Sequence, residues 1–197
     1  DKLVTGVNVC SSDLGIRIGG GTARAALETP AVADDLRRLA DMDLCVDVLG
    51  GPDELPVFAR LASHIPRLRV VVDHCGNLRI DGGPPPQGWV DAVRRCAQCP
   101  HAFMKVSALV EGTGCTGGAA PRDPAFYRPV LDTLWEAFGA DRVIYGSNWP
   151  VSTRFASYAT VQAIVEDDTR RRGPGAGRRF FRDNAARAYK FVHRAAA

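Results

Sequence analysis

Five short apolar runs separated by helical segments constrain the fold of this chain more than any other feature of its sequence. The runs cover residues 15–18, 44–49, 68–74, 102–107 and 142–147. In the third run, Val70, Val71 and Val72 are continuously apolar, as a strand covered on both faces should be. Strands that alternate with helices pair in parallel through right-handed crossovers. The sequence therefore predicts an α/β protein built on a parallel sheet.

The segments between and after these runs have apolar residues at helical spacing. Helices are predicted at residues 31–40, 55–64, 89–98, 124–138, 155–166 and 181–192. In the fourth of them, Leu131, Leu134 and Phe138 recur at intervals that are typical of core packing. We therefore expect helices to cover the sheet.

The composition narrows the class of protein further. With 197 residues, 46% of them hydrophobic, the chain is long enough for one domain with a sizeable core. Its net charge of +3 gives no reason to expect a nucleic-acid partner. No apolar run approaches the roughly 20 residues of a membrane helix, so we expect no membrane partner. Six cysteines without a disulfide framework indicate a reducing compartment, and we expect a cytoplasmic protein.

Polar side chains follow the last strand at the point where it ends. Residues 142–150 read RVIYGSNWP, so a β-forming run is broken by Gly146 and followed by Asn148 and Trp149. His74 follows an earlier strand in the same way. In parallel α/β sheets, the carboxyl ends of the strands carry the functional groups. These residues are therefore candidates for a site, although an ordinary strand with a polar turn gives the same pattern.

Several short motifs occur in one characteristic order. They are G-I-R at 15–17, D-H-C-G at 73–76, K-V-S at 105–107, G-S-N-W-P at 146–150 and N-A-A-R-A-Y at 184–189. In this order they resemble the amidohydrolase-related (amidohydrolase-2) family of the amidohydrolase superfamily, which includes sugar lactonases, pyrone-dicarboxylate lactonase and some decarboxylases. The resemblance implies a TIM-type (β/α)8 barrel, of which this chain carries about the C-terminal five strands. The family's H-x-H strand has no counterpart in the sequence.

The resemblance also implies roles for individual residues. His74 would point into the site and contact substrate or a metal, while Arg17 and Lys105 would bind a carboxylate, a hydroxyl or a developing oxyanion of the substrate. Asp47 is costly inside an apolar strand unless it is paired or faces a polar pocket, and with Trp149 it completes the predicted substrate-binding set. The alternatives are structural: a surface ion pair for Arg17, and a stem lying along a strand edge for Lys105.

Strand geometry adds an expectation about the residue before His74. Adjacent residues of a strand point to opposite faces. If His74 faces the lumen of the barrel, Asp73 should face outward, where it can cap the following turn.

Asn148 is the one departure from the family's usual ending, G-[ST]-D-W-P. The family's Asp is the catalytic base or a metal ligand, whereas a neutral amide cannot take a proton near pH 7. Either another carboxylate serves as the base, with Asp47 and Glu111 as candidates, or the activity is weak or absent. The resemblance implies a divalent metal, zinc or manganese, with His74 as one ligand, but the chain shows no complete metal site.

Three functions stay open on these residues, all with a small-molecule substrate or ligand. The first, which we favour, is a hydrolase that attacks a small lactone or a carboxylated sugar-like substrate with water activated by a base or a metal. The second is a decarboxylase, a lyase of the same fold. The third is a non-catalytic binding protein that lost the base at Asn148.

Two further expectations concern the organisation of the chain. Residues 4–14, VTGVNVCSSDL, resemble the translation of a common sequencing adapter, so we expect residues 1–14 to be non-native and residues 15–197 to form the partial barrel domain. An incomplete barrel exposes an apolar edge strand, from which we expect self-association into a homo-oligomer.

Overall fold

The computed structural model describes residues 29–190, and its centre is a parallel sheet. The strands are β1 (Cys45–Val48), β2 (Arg69–Val72), β3 (Ala102–Val106) and β4 (Val143–Tyr145), and they pair in sequence order. They correspond to the last four of the five predicted strands, which confirms the parallel α/β sheet. The adapter-like segment at 1–14, the strand predicted at 15–18 and Arg17 lie outside the described residues.

The register of the sheet brings the carboxyl ends of neighbouring strands together. Val48 pairs with Val72, which in turn pairs with Met104, and Val106 pairs with Tyr145. Parallel neighbours in sequence order are the arrangement of consecutive strands in a (β/α)8 barrel. The predicted strands ran one or two residues further because the residues at their ends turn away from the hydrogen-bonded ladder.

Helices connect the strands. They are α1 (Pro30–Asp41), α2 (Leu55–Ser63), α3 (Gln87–Ala97), α4 (Arg128–Phe138), α5 (Tyr158–Arg171) and α6 (Asn184–Tyr189). Shorter helical turns lie at His74–Asn77, Glu111–Thr113, Pro124–Tyr127, Val151–Arg154 and Ala176–Arg178, and a π-helical turn at Arg179–Asp183 leads into α6. Each predicted helix therefore has a counterpart, with shifted boundaries.

Local chemistry explains two of the boundary differences. The segment predicted as one helix over 124–138 is a 3-10 turn followed by α4. Pro129 at the start of α4 accounts for the break, because proline has no N–H with which to continue the preceding helix. Helix α5 begins only at Tyr158, because the Ser157 hydroxyl caps it by accepting a hydrogen bond from the Thr160 N–H at 3.1 Å.

Apolar residues lie on both faces of the sheet, and different elements cover them. The outer face and its helices share the main core, whose large buried side chains include Leu55, Trp89, Met104, Leu134 and Phe180. A smaller cluster on the inner face contains Val71, Phe103, Ile144 and, from α6, Ala188. In a barrel, inward-pointing side chains stack in layers. This apolar cluster is one such layer, and the polar residues described below lie nearer the carboxyl ends of the strands.

Helix α6 lies across the amino-terminal end of the sheet. Asn184 Nδ2 donates hydrogen bonds to the carbonyl oxygens of Ala140 and Val143, each at 2.8 Å. Arg69 Nε donates to the carbonyl oxygen of Ala188, also at 2.8 Å. These contacts hold α6 against the amino-terminal end of the sheet.

Two further observations concern membrane-spanning helices and the cysteines. No helix within residues 29–190 is long and apolar enough to cross a membrane. The cysteines of this range are all unpaired thiols: Cys45, Cys75, Cys96, Cys99 and Cys115.

Candidate functional site

Left-handed backbone conformations mark the carboxyl ends of three neighbouring strands. His74 (φ 55°) lies just past β2, Ala108 (φ 50°) just past β3, and Asn148 (φ 53°) just past β4. A non-glycine residue in this region costs about 1–3 kcal/mol, and such residues cluster at functional sites. The carboxyl-terminal edge of the sheet is therefore the candidate site. It is the edge at which the sequence predicted a site.

His74 is held by a serine from the next strand. Its Nδ1 lies 2.7 Å from Ser107 Oγ, and its backbone N–H donates to the same oxygen at 3.2 Å. Burial, reinforced by the charge of Lys105, lowers the pKa of His74 to about 4, so the imidazole is neutral at pH 7. Sequence reasoning missed Ser107. Its place two residues after Lys105, on the same face of the strand, is the signal that could have found it.

Asp47, Asp73 and Lys105 form a buried ionic cluster on the inner face of the sheet. Lys105 Nζ lies 2.8 Å from Asp47 Oδ2 and 2.6 Å from Asp73 Oδ1, and none of the three residues is more than 3% exposed. From α6, Tyr189 donates its hydroxyl to Asp47 Oδ1 at 2.9 Å, and its ring centroid lies 5.4 Å from Lys105 Nζ. This enclosure favours a role in holding the inner face together. Direct contact of Asp47 or Lys105 with substrate stays a prediction.

The outward orientation predicted for Asp73 is wrong. Its backbone is extended (φ −79°, ψ 153°), so it continues the alternation of β2 and points to the same face as Val71. His74 then leaves the strand through its left-handed conformation. The prediction failed because it assumed that the strand continued through His74.

Burial and a shared ammonium group shift the pKa values in the cluster. Desolvation raises the pKa of Asp47 to about 6, although Lys105 acts in the opposite direction. Desolvation also raises the pKa of Asp73. Burial disfavours the charged form of Lys105, but the two carboxylates outweigh this effect and raise its pKa. Lys105 is therefore cationic at pH 7, and two carboxylates compete for its single charge.

Asn148 contacts a carboxylate from the neighbouring strand end. Its Nδ2 donates to Glu111 Oε1 at 2.8 Å. Burial raises the pKa of Glu111, while the hydrogen bond from Asn148 lowers it. Burial, with a smaller contribution from the Glu111 charge, also raises the pKa of the Cys75 thiol, to about 12. The Glu111 carboxylate therefore lies at the same edge of the sheet as Asn148.

Trp149 lies at the rim of this edge. It is 63% exposed, and its backbone N–H donates to Ser147 Oγ at 3.2 Å. Before it, Gly146 allows β4 to approach β3, since a Cβ at this position would lie 3.0 Å from Ser107 Cβ and 3.2 Å from Lys105 Cδ. The contact predicted between Trp149 and substrate stays a prediction.

Residues 29–190 contain no group of three histidine, cysteine or acidic side chains arranged to hold a metal ion. The contacts explain this. Lys105 engages both Asp47 and Asp73, and Ser107 engages Nδ1 of His74. Residues 29–190 by themselves therefore do not make up a divalent metal site.

A parallel sheet in sequence order, with polar groups at its carboxyl ends, defines the class of (β/α)8-barrel proteins. Within this class, the family model described as "Amidohydrolase" matches residues 15–191. The chain therefore belongs to the amidohydrolase family, as the order of its motifs predicted.

Two curated relatives are named L-fucono-1,5-lactonase. The protein from Burkholderia ambifaria is 33% identical over 168 residues, which cover 83% of this chain and 56% of that protein. The protein from Burkholderia multivorans is 30% identical over 147 residues, which cover 73% of this chain and 50% of that protein. The chain thus spans about half the length of the curated relatives it matches.

Solved structures support the barrel. An amidohydrolase from Burkholderia multivorans, crystallised with bound zinc, matches with a TM-score of 0.80 and 27% identity, over 88% of this chain and 62% of that one. A probable 2-pyrone-4,6-dicarboxylic acid hydrolase from Acinetobacter baumannii matches with a TM-score of 0.65 over 90% of this chain and 62% of that one. At 18% identity, the second match shows the fold alone.

Proposed function

We propose that this protein is a hydrolase that opens the ring of a small lactone. Its family and its two L-fucono-1,5-lactonase relatives support this reaction class. The observation that carries the proposal is the neutral His74 held by Ser107 at the carboxyl-terminal edge of the sheet. A neutral, oriented imidazole is a suitable partner for the carbonyl oxygen of a lactone. The relatives favour neither the decarboxylase nor the binding protein considered above.

We propose the tautomer of His74 that carries its proton on Nε2. In this form Ser107 Oγ accepts the backbone N–H of His74 and donates its own proton to Nδ1, 2.7 Å away. The ring proton then lies on Nε2, where it can be donated to the carbonyl oxygen and stabilise the negative charge that develops during attack by water. Because the pKa of His74 is about 4, the imidazole is uncharged throughout the neutral range.

The other predicted substrate-binding residues divide by position. Trp149, at the rim, offers an apolar ring face to a sugar-like substrate. Arg17, outside the described residues, is proposed to bind a carboxylate or hydroxyl of the substrate. Asp47 and Lys105 would support the site from beneath. A divalent metal, zinc or manganese, stays a prediction, and a zinc-bound relative supports it. None of its ligands would come from the cluster around Lys105.

We also propose a cytoplasmic location and a small molecule as the partner, with neither nucleic acid nor membrane.

Self-association is proposed as well, because within residues 29–190 β4 has a strand neighbour on one side only. Light scattering of the purified protein checks this proposal, and a monodisperse monomer would contradict it.

The test is the rate at which the purified protein opens L-fucono-1,5-lactone and related sugar lactones. A pH indicator monitors the acid that the reaction releases. We expect turnover by the wild type and a loss of about 10²–10³-fold in kcat/KM for His74→Ala, which removes the donor to the carbonyl oxygen. His64→Ala is the matched control, because His64 is exposed at the end of α2. Absent turnover, or equal activity of the two variants, would overturn the proposal.

A further inference from the structure

The pair formed by Glu111 and Asn148 joins two strand ends at the candidate site. Glu111 begins the helical turn after β3, and Asn148 follows β4. The 2.8 Å hydrogen bond uses the amide Nδ2 as donor and leaves Glu111 Oε1 as acceptor. Position 148 therefore lacks a carboxylate, but Glu111 provides one at hydrogen-bond distance from Asn148.

The second oxygen of this carboxylate points to a ligand. Among residues 29–190, Glu111 Oε2 is buried and has no hydrogen-bond partner. Leaving a buried acceptor without a donor is unfavourable, and more so when it is charged. A water molecule or a substrate hydroxyl at Oε2 would remove this cost. The structure thus provides one oxygen held in place by Asn148 and a second oxygen available to take a proton.

The turn that carries Glu111 is fixed by its backbone. Gly112 N–H donates to the carbonyl of Ala108 at 3.0 Å, and Ile80 N–H donates to the carbonyl of Gly112 at 2.8 Å. A Cβ at position 112 would lie 2.9 Å from the carbonyl oxygen of Leu78. A larger residue at 112 would therefore displace the turn. Such fixed support is what a positioned acid–base group requires.

We propose that Glu111 is the general base of the hydrolysis and that Asn148 is its positioning residue; this rests on the function proposed above. Glu111 Oε2 takes a proton from water while the water oxygen bonds to the lactone carbonyl carbon. When the ring C–O bond breaks, the same proton passes to the departing ring oxygen. One lactone and one water give one hydroxy acid, and Glu111 returns to its carboxylate form.

The direction of the Glu111 pKa is compatible with this role. Burial raises it, and Asn148 partly reverses the rise. A base works best when its pKa approaches the working pH without exceeding it. Removing the Asn148 amide should therefore raise the pKa of Glu111 further and move the acid limb of the pH–rate profile upward.

An exchange of the two side chains tests the proposal. We expect Glu111→Gln to lower kcat/KM by about 10²–10⁴-fold, the usual contribution of a general base. The double variant Glu111→Gln/Asn148→Asp restores a carboxylate and an amide in exchanged positions, and we expect it to recover at least tenfold over Glu111→Gln. Glu136→Gln, on the exposed face of α4, is the control and should keep wild-type activity.

The outcomes separate this proposal from the proposed function. If the wild type opens lactones and Glu111→Gln stays within threefold of it, Glu111 is not the base while the lactonase function stands. If the wild type opens no lactone, both fall. Asn148→Ala adds a readout that a merely structural role would not move: the acid limb of kcat/KM should shift to higher pH. An unchanged limb would refute the positioning role of Asn148.

A measurement without turnover tests the contact itself. In Asn148→Asp, two carboxylates would share one hydrogen-bond distance, so one of them should titrate well above the ordinary range of a carboxyl. Infrared titration of the carboxyl bands would detect this group in Asn148→Asp and not in Asn148→Ala. Identical titrations of the two variants would show that residues 111 and 148 are not in contact, and the proposal would fall.

Discussion

The two ends of the parallel sheet differ in how their polar groups are used. At the amino-terminal end, Asn184 satisfies two carbonyls, and Arg142 Nη1 donates to the carbonyl oxygens of Ala97 and Cys99 at 2.8 and 2.9 Å. At the carboxyl-terminal end, three strands turn into left-handed conformations, and Glu111 Oε2 is buried without a partner among the described residues. The contrast supports the proposal that the carboxyl-terminal end carries the site, while the amino-terminal end stabilises the fold.

The ionic cluster connects these two ends through the inner face of the sheet. Tyr189 reaches Asp47 from the amino-terminal side, and Lys105 links Asp47 to Asp73, the residue before His74. The position of His74 therefore depends on a buried charge network as well as on Ser107. Variants in the ionic cluster and at each end of the sheet should separate loss of stability from loss of activity.

The largest effect on stability is expected in the ionic cluster on the inner face of the sheet. Lys105→Met removes the cation from two buried carboxylates, and we expect a loss of about 3–5 kcal/mol in the free energy of unfolding, measured in urea. Arg67→Gln is the control, because Arg67 pairs with Asp41 on the surface and exposed pairs contribute at most about 1 kcal/mol. Equal losses in the two variants would contradict a structural role for the cluster.

A smaller effect is expected at the amino-terminal end alone. Asn184→Ala leaves one buried and one part-buried carbonyl without their donor, and we expect a loss of about 1–3 kcal/mol in unfolding free energy with unchanged kcat/KM. Gln98→Ala, at an exposed amide, should change neither quantity. A tenfold loss of activity in a folded Asn184→Ala protein would contradict separate roles for the two ends of the sheet.

The smallest effect is a pH dependence of stability. The pKa of Asp47 is raised to about 6 in the folded protein from an ordinary value of 3.8, so the folded state binds the proton more tightly. The contribution of this group to stability therefore grows as pH falls from 7 to 5, by about 1 kcal/mol. The difference between wild type and Asp47→Asn in urea titrations checks it, with the exposed Asp53→Asn as control. A difference that does not vary with pH would contradict the raised pKa.

Sequence patterns predicted most of the architecture because its causes are local. The continuous apolar run at Val70–Val72 and the helical spacing in α4 depend only on near neighbours. The strand forms where expected, and the helix forms over the predicted core residues but begins later. His74 and Asn148 lie at one edge of the sheet, as the sequence predicted, because the carboxyl ends of parallel strands meet there. Their catalytic roles stay predictions. These predictions needed no knowledge of which side chains touch.

The contacts within the site could not be predicted in the same way. Asn148 meets Glu111 across 37 positions of sequence, and Lys105 meets Asp47 across 58. Asp73 was assigned to the wrong face because the left-handed turn at His74 leaves no hydrophobic pattern in the sequence. Side-chain partners therefore depend on tertiary packing that periodicity does not record.

The central proposal is that the carboxyl-terminal end of the sheet carries lactone hydrolysis while the amino-terminal end stabilises the fold. The most direct test is kcat/KM for L-fucono-1,5-lactone in wild type, His74→Ala and Asn184→Ala, at a temperature where all three are folded. We expect His74→Ala to lose at least 100-fold, in line with removal of one oxyanion donor, and Asn184→Ala to stay near wild type. Equal losses in both variants, or none in His74→Ala, would contradict the account.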